Sequence, residues 1–186
     1  MSERLFEWDE LNLIRREAVR LWTAKAGKPD RKKREEFCDW LEFVLCHVYA
    51  YGWQGVEDTL GIRINVMFNG DTETVNAEIG EKTFRDRIYE EDTAEEILRV
   101  IDTEAHRDYN AGVYNAAKAS GIPNLRKRWY TMNDDRVRDT HQYLEGMVVG
   151  IDDRFYTYDG DSALYPGGFD DPKNNVNCRC SVAVVR

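Results

Sequence analysis

Residues 31–51 carry Phe37, Trp40, Leu41, Val44, Leu45 and Val48, which would occupy more than one face of a helix. Such a helix must be covered on more than one side, so it is either sandwiched in a core or offered as a docking surface; core is the preferred reading. Ahead of it, Leu11, Ile14, Ala18 and Leu21 recur at helical spacing, and Gly27 with Pro29 breaks the run. Further helices are predicted over 83–91 and 94–120, the second stopped by Gly121-Ile122-Pro123. Between these helical stretches the period changes. Ile62, Ile64, Val66 and Phe68 alternate with polar residues before Asn69-Gly70, which predicts a hairpin near 62–79 with 72–79 as its return strand.

After Trp129 the texture shifts to one short helix and many turns. The helix, over 134–145, would be capped by Asn133 or Asp134 and closed by Gly146. Short aromatic and apolar segments follow: MVVGI, RFYTY, LYPGGF and CRCSVAVV. The expected fold class is α+β, a helical N-terminal half followed by a small α+β C-terminal domain with short, mostly antiparallel strands. The expected division is 1–93 and 94–186.

The 186 residues are 42% hydrophobic and 33% charged, a balance that describes a folded chain with a real core. No apolar run is long enough to cross a bilayer. The opening MSERLFEWDE has neither the basic start nor the apolar centre of a secretory signal, which implies synthesis and folding in a cytoplasm. A net charge of −9 argues against a free nucleic-acid binder, whose affinity comes largely from phosphate contacts. Basic residues cluster at 25–34 and 126–128; solvated helix ends are the simpler reading, a local DNA or RNA contact the rival. Four cysteines without an export signal argue for free thiols, with Cys38 and Cys46 as small hydrophobes inside the second helix.

The other two, Cys178 and Cys180, stand one residue apart before an alternating apolar stretch. If 178–185 is a strand, both sulfurs share one face with Val182 and Val184. Their Cα atoms then lie roughly 6.5 Å apart with parallel Cβ vectors, which disfavours a disulfide between them. A zinc site needs its sulfurs within about 4 Å of each other, which a regular strand does not offer without a bulge. Two core thiols are the preferred reading, and no cofactor is implied; zinc on His141, Cys178 and Cys180 is the minor alternative.

Several local patterns stand in order along the second half of the chain. They are Thr103-Glu104, Trp129-Tyr130-Thr131, Arg138-Asp139-Thr140-His141, Leu144-Glu145-Gly146, Phe155, Tyr165-Pro166-Gly167 and Asn177-Cys178-Arg179-Cys180. Over about 97–185 this order resembles the phage Mu protein F-like family, the minor head or head-morphogenesis proteins of tailed phages. The resemblance implies a virion protein inside the head, present in the host cytoplasm during assembly. It implies portal and capsid proteins as partners, contact with packaged DNA, no membrane, and a part in head assembly and genome packaging or delivery.

The residues themselves support a narrower statement. Val137, His141 and Leu144 fall on one face of the expected helix, so His141 points to the core. A buried histidine needs partners, and Glu104 with Arg138 would supply them, in a network closed by Asn177, Cys178 and Cys180. The rival is a metal-independent ribonuclease. Glu104 or His141 would take the 2′-hydroxyl proton, Arg138 would hold the phosphate, and His141 would protonate the leaving oxygen. Arg136 or Arg128 would add phosphate contacts. Exposure separates the two, because a catalytic His141 must open to a pocket. Asp159-Gly160-Asp161-Ser162 is half a calcium loop and reads as a turn, and Tyr156, Tyr158 and Tyr165 read as packing beside Phe155 and Phe169.

Overall fold

The structure, a computed structural model, describes residues 8–23, 30–64 and 72–186. Five helices come first: α1 (Trp8–Thr23), α2 (Arg31–Leu60), α3 (Thr72–Val75), α4 (Phe84–Glu90) and α5 (Ala94–Ala119). Then follow β1 (Arg126–Tyr130), α6 (Asp139–Gln142), β2 (Val148–Gly150), β3 (Phe155–Tyr156), β4 (Ser162–Ala163), α7 (Pro172–Asn175) and β5 (Ser181–Val185). The architecture is α+β, with helices through the first half and short antiparallel strands in the second.

The two long helices dominate. Asp30 caps α2 by accepting from the Lys33 N–H at 2.9 Å, and Gly61 ends it in the left-handed region at φ 67°. Thr93 and Glu96 form a reciprocal capping box at the start of α5, as Thr83 and Asp86 do for α4. The helix expected over 31–51 continues to Leu60, about two and a half further turns, because Gly52 lies in a helix contact rather than at an end. A Cβ on Gly52 would overlap the Tyr109 carbonyl, and one on Gly112 would overlap that of Tyr49. The backbones of α2 and α5 therefore touch there. At the N-terminal end of the pair, Arg34 of α2 donates to the carbonyls of Ile88, Tyr89 and Glu91 and pairs with Asp92. It thereby closes α4 immediately before α5 begins.

The apolar face of α2 is core, as preferred: Phe37, Cys38, Leu41, Leu45, Val48, Tyr49, Val56 and Leu60 are all buried. Leu11, Ala18 and Trp22 of α1 join the same cluster, which continues through α5 into Trp129, Leu144, Phe155, Phe169 and the two late cysteines. Apolar packing thus runs without a break across residue 93, where the two-part division was expected.

The return strand expected over 72–79 is not formed. Val66, Phe68 and Asn69-Gly70 lie outside the described residues, Ile62 and Ile64 are in no strand, and the expected return segment begins with α3. The cause is Arg107 of α5. Its guanidinium donates to the carbonyls of Thr74, Val75 and Ala77, at 3.2, 2.7 and 2.8 Å, so the acceptors a partner strand would use are taken. Ile79 makes only an isolated bridge to Lys82.

The three-stranded sheet has the order β2-β1-β5, with Trp129 opposite Val182 and Lys127 opposite both Val149 and Val184. Residues 126–128 are a strand rather than a solvated helix end. Burial alternates along β1, and Lys127 points inward with 1% exposure. Its ammonium donates to the Ile151 carbonyl at 2.7 Å and sits 4.9 Å from the Tyr114 ring centre; burial pulls its pKa down to about 8. The Asp159–Ser162 segment is a tight turn between β3 and β4, with Gly160 at φ 90°.

The Gly52–Gly112 contact makes a direct prediction. Gly112→Ala forces the two helices apart, and thermal or urea unfolding is expected to register a loss of about 3 kcal/mol. A change within 0.5 kcal/mol would mean the backbones are not in contact.

Candidate functional site

Trp129, His141, Phe155, Phe169, Cys178 and Cys180 converge on one sealed region. Trp129, fully buried on β1, forms its floor. The Phe155 and Phe169 rings meet Trp129 edge-on at 5.0 and 5.8 Å, and Phe169 stacks on the His141 ring at 5.2 Å. His141 enters from α6 and is 1% exposed. That helix is one turn long, not the three turns expected over 134–145. Asp134, the expected cap, is diverted to Arg179, and Arg138 is extended at ψ 144°. The inward direction of His141 survives this shortening, since Leu144 remains buried beside it.

The cysteines arrive on a loop, not on a strand. Pairing in β5 starts at Ser181, and Asn177, at φ 56°, turns the chain immediately before Cys178. Cys178 Sγ and Cys180 Sγ each lie 3.6 Å from His141 Nδ1, and the three atoms fall within 4.8 Å of one another. All four described cysteines are free thiols. The Cys180 thiol and the His141 ring hold Cys178 well below the ordinary thiol range. Cys178, together with burial, pushes Cys180 well above it.

Four side chains lock this loop in place. Asn110 of α5 is fully buried. Its amide donates to the Cys180 carbonyl at 3.0 Å while its oxygen accepts the Val182 N–H at 2.9 Å. Each such bond is worth roughly 1 kcal/mol net, but leaving either backbone group buried and unpaired would cost about 1–3 kcal/mol. Thr103 Oγ1 accepts the Asn177 N–H at 3.0 Å, and Arg138 donates to the Val176 carbonyl. Arg179, between the two cysteines, turns outward and grips Asp134 with two bonds of 2.8 and 2.6 Å. Asn175 fixes Phe169 by bonding both its N–H and its carbonyl, at 2.9 and 2.7 Å. Asn110, Thr103 and Asn175 were not singled out as partners from sequence. The legible signal was a polar stripe, Thr103, Arg107 and Asn110, at helical spacing within an otherwise apolar helix face.

The expected Glu104–Arg138–His141 grouping is not brought together. Glu104 is fully buried but pairs with Arg87, and Arg107 approaches its Oε2 at 3.0 Å off the hydrogen-bond direction. Arg107 in turn holds Asp108 Oδ1 at 3.0 Å. The acid therefore serves an internal ion cluster, the arginine serves a carbonyl, and the histidine faces sulfur. Glu104 and His141 are both sealed from solvent and engaged with different partners, the burial expected of a packing network rather than of residues opening to a pocket. Asn177, Cys178 and Cys180 do close the site around His141, through the loop just described.

The comparisons with known proteins agree with the motif order. The model of the family described as Phage Mu protein F like protein matches residues 69–183, beginning before the expected start near Ile97. The chain belongs to that family. A minor head protein, GP7 of Bacillus phage SPP1, is 33% identical over 84 residues, covering 45% of this chain and 27% of that protein. A protein of Enterococcus faecalis (strain ATCC 700802 / V583) named NAD(+)--arginine ADP-ribosyltransferase EFV is 40% identical over 91 residues. That match covers 47% of this chain and 18% of the named protein. The chain thus spans less than a third of the length of either relative. No solved structure matches.

The Arg179–Asp134 clasp carries a pH prediction. Arg179 holds the Asp134 carboxyl down at about 2, against an ordinary 3.8. A depressed carboxylate stabilises the fold above its unfolded pKa and loses that contribution as pH falls through the folded one. The melting temperature of Asp134→Asn should therefore lie below that of the unchanged chain at pH 7. The gap should narrow from about pH 4 and close near pH 2. A gap that persists at the acid end would assign the effect to something other than this charge.

Proposed function

We propose that this chain acts in phage head morphogenesis as a minor head protein, positioned at the portal and inner capsid during head assembly and genome packaging or delivery. Membership of the phage Mu protein F-like family carries this reading, and the likeness to the SPP1 minor head protein supports it. Virion localisation follows from the same reading. Among the described residues no helix is long and apolar enough to cross a membrane, which suits a role inside a head.

The surface suits docking more than catalysis. The outer face of α2 leaves Phe43 64% exposed, its ring 4.3 Å from that of His47, beside a shallow depression lined by Asp39, Glu42, Cys46 and Ala50. Tyr143, Tyr156 and Tyr158 are likewise exposed. Portal or inner-capsid subunits would cover such positions. The acidic balance makes contact with packaged DNA local rather than extensive. ADP-ribosyl transfer is not carried over, since the matching segment is 18% of that relative.

The test is co-purification. Tagged chain produced together with the portal and major capsid proteins encoded near it should sediment with assembled heads and retain the portal after washing. Phe43→Glu should weaken that retention several-fold without lowering the melting temperature. If the unchanged chain associates with no head component, the reading falls.

A further inference from the structure

We infer that His141, Cys178 and Cys180 form a zinc site, in which one metal ion staples the 176–180 loop to α6. A regular strand through both cysteines would disfavour zinc, but β5 begins only at Ser181, after both. The loop ahead of β5, turned by Asn177, brings both sulfurs to the same nitrogen.

The two nitrogen–sulfur distances fit the ion. Tetrahedral zinc with Zn–S bonds of about 2.3 Å and a Zn–N bond of about 2.0–2.1 Å sets N···S edges near 3.5–3.6 Å. Both Nδ1···Sγ distances are 3.6 Å, and no pair of the three atoms is more than 4.8 Å apart. Two soft sulfurs and an imidazole favour zinc over magnesium or calcium, which require oxygen ligands. Binding proceeds without redox change: two S–H bonds break, two Zn–S bonds form, and two protons leave to water. A fourth position remains for a water molecule.

The surroundings also resemble a metal's outer shell. The buried Trp129 ring meets the His141 ring edge-on at 5.9 Å and walls the cluster on that side. Backbone bonds from Asn110 and Thr103 fix the loop before any metal arrives, so little ordering is required on binding.

Metal analysis of the full chain, purified without chelator, should find about one zinc per chain. Replacement by cobalt(II) should produce a thiolate-to-metal charge-transfer band. Zinc should protect Cys178 and Cys180 from alkylation in the folded protein and leave the reactivity of Cys38 and Cys46 unchanged. Cys178→Ser and Cys180→Ser should each lose the bound zinc, whereas Cys38→Ser should keep it. Should the serine variants fail to fold, the cobalt band and the alkylation pattern of the unchanged chain decide alone. A folded chain without zinc and without a cobalt–thiolate band overturns the inference, as does zinc retained when both late cysteines are replaced.

Discussion

A helix cannot be wrapped on most sides while carrying Thr103, Glu104, Arg107, Asp108 and Asn110 unless those side chains find partners inside the protein. This buried polar stripe on α5 is the constraint around which the C-terminal part is arranged. Arg107 fixes α3 by taking its terminal carbonyls, Glu104 draws in Arg87 from α4, and Thr103 and Asn110 hold the loop leading to β5. Removing one member of the ion cluster would strand a buried charge, at a cost of about 3–5 kcal/mol, comparable with a large fraction of a domain's stability. The same device recurs on α2, where Arg34 closes α4 by reading three carbonyls.

Long helices were legible because their apolar spacing and capping residues are local signals. Thr93 and Glu96 sit three apart, as a capping box requires, and α5 starts where the spacing places it. The extent of α2 was not legible, since Gly52 reads as a stop when considered alone and as a contact only when α5 is beside it. The same limit applies to the return strand expected after Asn69-Gly70. Asn69-Gly70 is a strong local signal, but the fate of residues 72–77 is decided by an arginine thirty residues further on.

The site divides in a similar way. His141 was correctly directed inward by its spacing from Val137 and Leu144, although most of the helix assumed there is absent. Its partners were misassigned because pairing charge with charge ignored Arg107, one turn along α5, and Arg87 of α4, which both reach Glu104. The two thiols were placed on a strand by the alternation of 178–185. That alternation belongs to β5 proper, and one left-handed residue, Asn177, separates the loop geometry from it.

The glycine crossing has a mechanical corollary. Where α2 and α5 meet, main chain lies against main chain, with no deformable layer of side chains to absorb displacement. Asn110, which grips the sulfur-bearing loop, is only two residues from Gly112 on the same helix. Load applied to the outer surface of α2 would therefore reach the chamber around His141 through a stiff lever, and the two would shift in step rather than independently.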